Sequence, residues 1–102
     1  MKKRIFRDYQ EKLIQDLQNP ELAGLYLNEA LKDEDPRIFL LALKNVYAAQ
    51  GEAMTTIAKR TKLSRENLYR ILSQKGNPKL TNIMALLNAA GFSLAVQPYK
   101  KS

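Results

Sequence analysis

Apolar residues recur at helical spacing along most of the chain. Phe6, Tyr9, Leu13, Ile14 and Leu17 share one face of a helix over about Arg7 to Gln18. Asn19-Pro20 then supplies an N-cap and a first helical residue. The second helix runs to about Lys32, with Leu22, Leu25, Tyr26, Leu27, Ala30 and Leu31 as its apolar set. The charged turn Asp33-Glu34-Asp35 leads into Pro36 and a third, strongly apolar helix to about Gln50. Its apolar positions are Ile38, Phe39, Leu40, Leu41, Leu43, Val46 and Tyr47, and Gly51 is a natural stop. A last helix is expected over about Leu80 to Ala90, packing Leu80, Ile83, Met84, Leu86 and Leu87 and ended by Gly91. Lys79 is a poor N-cap for it. The period then changes: Phe92, Leu94 and Val96 alternate with Ser93, Ala95 and Gln97, which predicts a short strand ended by Pro98. The chain holds no internal repeat and no low-complexity segment.

Between the third and last helices lies the most informative stretch, Ala53 to Ser73. It reads as two short helices joined by a tight turn. Two helices cross closely only where a small residue sits at the contact, and Ala58 can fill that place. Ile57 can face the core, and Leu63 can plug the corner just past the turn. Leu68 and Ile71 are three apart and share the inner face of the second helix. Ser64 is a good N-cap, able to accept from the amide of Glu66 or Asn67. Arg65, Glu66, Asn67, Tyr69 and Arg70 then point outward. Arg can pair bidentately with guanine and Asn with adenine in the major groove. A recognition helix reads bases through its N-terminal turns, where Arg65 and Asn67 lie. The bland alternative is an amphipathic helical hairpin with a solvated face.

Charge favours the DNA reading. Residues 1–36 hold six basic and eight acidic residues, a net −2; residues 37–102 hold eleven basic and two acidic, a net +9. The positive charge belongs to the half with the helix pair, as phosphate contact requires. A merely solubilising surface would not need such polarity.

Other classes are narrowed by absence. The 102-residue chain has the length of one small domain. It contains no Cys and no His, so it has no disulfide, no thiolate metal site and no imidazole base. No Gly-rich phosphate loop or carboxylate pair lies on the basic half, and Asp33-Glu34-Asp35 reads as a helix-capping turn. Neither an enzyme nor a metal or cofactor site is therefore expected. The N-terminal charges prevent the apolar core of a signal peptide. Leu80 to Tyr99 carries no charge, but its Asn, Gln, Ser, Gly and Pro fit a buried helix followed by a strand better than a membrane span. A reducing cytoplasm suits the absence of Cys.

The tail strand needs a partner, because its backbone donors and acceptors cannot stay unpaired. No second strand is evident. The partner would be a two-fold copy of the chain or the sheet of another protein, through Phe92, Leu94 and Val96. Alternatively the tail packs on the core without a ladder.

With these residues in view, Pro36 to Val96 resembles a helix-turn-helix domain of the Cro/lambda-repressor type, and the whole chain resembles HigA-like addiction-module antidotes. The resemblance rests on YLNEAL from Tyr26, DPRIFLLAL from Asp35, IAKRTKLSRENLYRILS from Ile57, GNPKL from Gly76 and AAGFSLAV from Ala89. It implies an all-α fold: a five-helix lambda-repressor-like domain with extra N-terminal helices and a short C-terminal β-strand. It places Ser64, Arg65, Glu66, Asn67, Tyr69 and Arg70 at bases. It puts Thr55, Thr56, Lys59 and Lys75 where phosphate contacts are usual. Lys62 occupies a turn position that is usually Gly in this family, often left-handed; Lys there could gain a phosphate contact.

The same resemblance implies the partners. They are operator DNA, bound as a homodimer, and a RelE/HigB-like ribonuclease toxin that the antidote silences, with repression of the shared operon. Residues 1–35 would then be the N-terminal, toxin-binding region and residues 36–102 the DNA-binding domain. A ribonuclease surface is basic, so Asp8, Glu11, Asp16, Glu21 and Glu29 could pair with it. These helices could equally just pack on the domain and solvate it, with Leu22, Tyr26 and Leu31 in the core. A stand-alone repressor without a toxin is the competing function.

Overall fold

The computed structural model describes residues 2–73 and 77–99, with side chains from Arg7 onward. Six helices follow in order: α1 (Lys2–Asp16), α2 (Pro20–Leu31), α3 (Pro36–Gln50), α4 (Met54–Thr61), α5 (Arg65–Leu72) and α6 (Leu80–Ala89). Past Pro36 that makes four helices among the described residues, one fewer than the five the resemblance implies.

Local chemistry sets most of the boundaries. Asn19 caps α2 by accepting from the Glu21 amide at 2.9 Å, and Asp35 caps α3 by accepting from the Arg37 amide at 3.0 Å. In each helix Pro follows the cap, where its missing N–H costs nothing. The Arg37 guanidinium also donates to Asp35, and these bonds hold that carboxyl below its ordinary pKa. Gly51 ends α3 with φ 70°, a left-handed angle that suits a residue without Cβ. Lys79 precedes α6 with no side-chain cap bond, as its chemistry predicts.

α3 is the centre. Its Phe39, Leu40, Leu43, Val46 and Tyr47 are buried, and α1, α2 and α5 pack on it. α4 packs on both α5 and α6. One continuous core results, joining Leu17, Ala23, Leu27 and Ala30 of the N-terminal part to Ile57, Leu68, Ile71, Leu86 and Leu87. Tyr47 spans it, its hydroxyl donating to the Leu86 carbonyl of α6, and burial pushes the phenol pKa well up. A second polar node ties the N-terminal helices down. Asn45 on α3 donates to the Tyr26 hydroxyl at 2.9 Å, and Gln10 donates to the Asn45 carbonyl oxygen at 3.4 Å.

Several sequence expectations are corrected. α1 begins five residues earlier than the periodicity indicates. Leu22, Leu25 and Leu31 are 43%, 62% and 48% exposed; α2 turns its small Ala23 and Ala30 inward with Leu27 instead. Ile38, Leu41, Leu80 and Met84 are likewise exposed. The predicted strand through Phe92, Leu94 and Val96 is not formed among the described residues. The reason is the absence of an intrachain partner: the Phe92 amide donates to the Leu87 carbonyl, and no further tail amide bonds to described backbone. Only Phe92 is packed on the core, its ring 3.6 Å from where a Cβ on Gly24 would stand. Leu94 and Val96 face solvent.

Candidate nucleic-acid interface

α4, the turn and α5 are held by a small apolar wedge. Ile57 and Leu68 are fully buried, Ile71 and Leu72 nearly so, and Ala58 and Leu63 pack partly against them. Ala58 and Leu63 thus lie where the helix crossing and the turn need them. Lys62 ends α4 in the left-handed region, φ 62° and ψ 18°, and is the one non-glycine residue with positive φ among those described. The tight turn is therefore kept, at a backbone cost of about 1 kcal/mol for the Cβ. Thr61 offsets part of it: buried, it donates from Oγ1 to the Ile57 carbonyl at 2.8 Å and accepts from the Leu63 amide at 3.3 Å. Sequence reasoning missed Thr61. A threonine four residues past a core isoleucine and two before a turn leucine was the available signal.

Ser64 caps α5, its Oγ accepting from the Asn67 amide at 3.1 Å. This fixes the rotation of the helix. Leu68, Ile71 and Leu72 go inward; Arg65, Glu66, Tyr69 and Arg70 stand exposed, with Asn67 half-buried between them. The side chains are ordered against each other. The Arg65 guanidinium lies over the Tyr69 ring, 6.0 Å from its centroid. Arg70 donates to the Asn67 Oδ1 at 2.6 Å. Asn67 must release that bond to engage an adenine through both its amide atoms, a modest cost for an exposed pair.

Around this ridge Thr55, Lys59 and Lys62 are exposed and Thr56 is half-buried. Lys75 lies outside the described residues. Among those described, the ion pairs are Glu29–Lys32, Asp35–Arg37 and Glu52–Arg60. Lys59, Lys62, Arg65, Arg70 and Lys79 thus have no described carboxylate neutralising them. Arg60 is different: it donates to Glu52 at 2.9 Å and toward the Ala89 carbonyl at 3.4 Å, which joins α4 to the loop before it and to the end of α6.

The acidic candidates sit elsewhere. Asp8, Glu11 and Asp16 are exposed on α1, and Glu21 and Glu29 on α2, with Glu29 paired to Lys32. No cluster of three metal-ligating side chains occurs among the described residues. Nor is any described helix long and apolar enough to cross a membrane.

Residues 9–98 match the family described as "probable addiction module antidote protein". The chain belongs to that family. A relative from Haemophilus influenzae, described as an uncharacterized protein, is 36% identical over 81 residues, covering 79% of this chain and 81% of its own length. No solved structure matches the chain significantly. Membership supports an antidote role, that of the antitoxin half of an addiction module, and implies a toxin partner of some kind.

Proposed function

We propose that this antidote is a DNA-binding antitoxin of the HigA-like type. In this reading α3, α4 and α5 are the first three helices of a Cro/lambda-repressor-type unit, and α5 enters the major groove. Arg65 and Asn67 read bases; Ser64, Glu66, Tyr69 and Arg70 flank them. Thr55, Thr56, Lys59, Lys62 and Lys75 meet phosphates. Two copies bind the operator of the module, which represses synthesis of antidote and toxin together. The toxin is a RelE/HigB-like ribonuclease, met by the acidic residues of α1 and α2, so that residues 1–35 serve the toxin and residues 36–102 the DNA.

The observation that carries this reading is the face of α5. A helix could hold its core contacts with any polar exterior, yet this exterior sets arginines and an asparagine on a ridge capped by Ser64, next to exposed Lys59 and Lys62 that no described carboxylate neutralises. Family membership weighs against a stand-alone repressor. The test is co-expression with the adjacent reading frame, followed by binding to the duplex upstream of the gene. Exposed Asp8 and Glu11 changed to Lys should weaken capture of the neighbouring protein and leave DNA affinity intact. Capture that survives this change removes the acidic-face assignment. Failure to bind the upstream duplex better than a shuffled one removes the operator assignment.

A further inference from the structure

A groove runs between α2 and the tail, over residues 92–97. Its floor is Leu27, Phe39, Leu87 and Phe92, and its rims are Leu25 and Leu31 on one side and Leu94 and Val96 on the other. The rim leucines and Val96 are exposed, Val96 completely. The tail backbone beyond Phe92 donates to no described backbone carbonyl. Apolar side chains and unpaired amides thus lie along one edge, an arrangement that pairs with another strand.

We infer that this edge is the dimer interface, and that its occupant is the same tail from a second copy, laid antiparallel across a two-fold axis at Ala95. The sequence is self-complementary in that register. Ala95 faces Ala95, Leu94 of one copy faces Val96 of the other, and Ser93 faces Gln97. Leu94–Val96 and Phe92–Pro98 then fall on one face, over the two grooves, and the small or polar pairs Ala95–Ala95 and Ser93–Gln97 on the other. Phe92 faces Pro98, whose missing N–H falls at the end of the ladder, where it is tolerated.

Three further observations favour a second copy over a cationic protein. The tail from Phe92 to Tyr99 carries no charge, so the paired strands set no like charges opposite each other. The groove rim holds one acid and one base, Glu29 and Lys32, already paired with each other. A stable interface takes roughly 800 Å² from each partner, more than six tail residues supply, and the exposed Leu25 and Leu31 extend the patch along α2. The inference takes from the proposed function only that two copies assemble.

The chain has no cysteine, so single-cysteine variants report geometry cleanly. In the two-fold register the two Ala95 Cα atoms lie about 4.5–5.5 Å apart, within disulfide reach. Two Ser93 residues lie roughly 13 Å apart along the strands, out of reach. Mild oxidation of Ala95→Cys should give a covalent dimer rapidly, and of Ser93→Cys should not. By light scattering the wild type should be a dimer, and Val96→Lys a monomer that still melts cooperatively but at a temperature independent of protein concentration, since Val96 is fully exposed in the monomer. A monomeric wild type, or a dimer in which positions 93 and 95 cross-link alike or Val96→Lys has no effect, overturns the assignment. These measurements use no DNA, so they can fail while operator binding holds, and the reverse.

Discussion

The outward faces of α2 and α5 are built on opposite plans. α5 buries large residues, Leu68, Ile71 and Leu72, and turns arginine, asparagine and tyrosine to solvent. α2 buries mainly small residues, Ala23 and Ala30 with Leu27, and turns out Leu22, Leu25 and Leu31 beside Glu21 and Glu29. Burying large side chains inward is the arrangement of a helix whose exterior is free for charge. Exposed leucines at this density mark a surface suited to a protein contact. On the proposed reading the two faces serve different partners, a polyanion at α5 and a protein surface at α2.

The contrast can be broken most forcibly at Leu68. Leu68→Ala should cost about 2–5 kcal/mol, because it opens a cavity under α5 where no solvent reaches. Leu25→Ser, on the exposed face of α2, should stay within about 0.5 kcal/mol of wild type in a denaturant titration dilute enough that both are monomers, while loosening self-association at higher concentration. Equal costs at the two positions would erase the distinction.

Tyr47→Phe comes next, at about 1 kcal/mol, since it deletes one buried hydrogen bond between α3 and α6. It also has a pH signature. The folded phenol pKa is raised above the unfolded value of about 10, so its contribution is complete below pH 10 and is lost as pH climbs above it. Thermal melts from pH 8 to 11 should show a shallower alkaline decline in the variant.

The smallest effect belongs to Lys62. Lys62→Gly relieves a left-handed lysine and should stabilise by up to about 1 kcal/mol, a melting shift of a few degrees. It should also weaken binding to every DNA sequence by a similar factor. A gain in stability with no loss of DNA affinity would make Lys62 a turn residue alone.

How far the sequence reached follows the physics of each element. Helices with a proline start and a cap, α2 and α3, were legible almost to the residue, because Asn19-Pro20, Asp35-Pro36 and Gly51 act locally. The α4–α5 pair was legible because small, large and polar residues alternate at a spacing few other arrangements permit. Which face of α2 turns inward was not legible. Leucines on both sides of a helix give no preferred direction until α3 is present to select the alanines. The tail strand is not formed among the described residues. Alternation at Phe92, Leu94 and Val96 indicates willingness to pair, but a ladder also needs a neighbour, which one chain does not provide. Thr61 and the Tyr26–Asn45–Gln10 node depend on contacts between or along helices that spacing alone does not reveal.

The direct test is a competition on the duplex upstream of the gene against a shuffled duplex of the same length, at one fixed salt concentration, with wild type and Arg65→Ala. The account predicts that the variant keeps its affinity for the shuffled duplex to within a few-fold and loses about 1–3 kcal/mol of preference for the upstream one. Discrimination unchanged by the loss of Arg65 would contradict it.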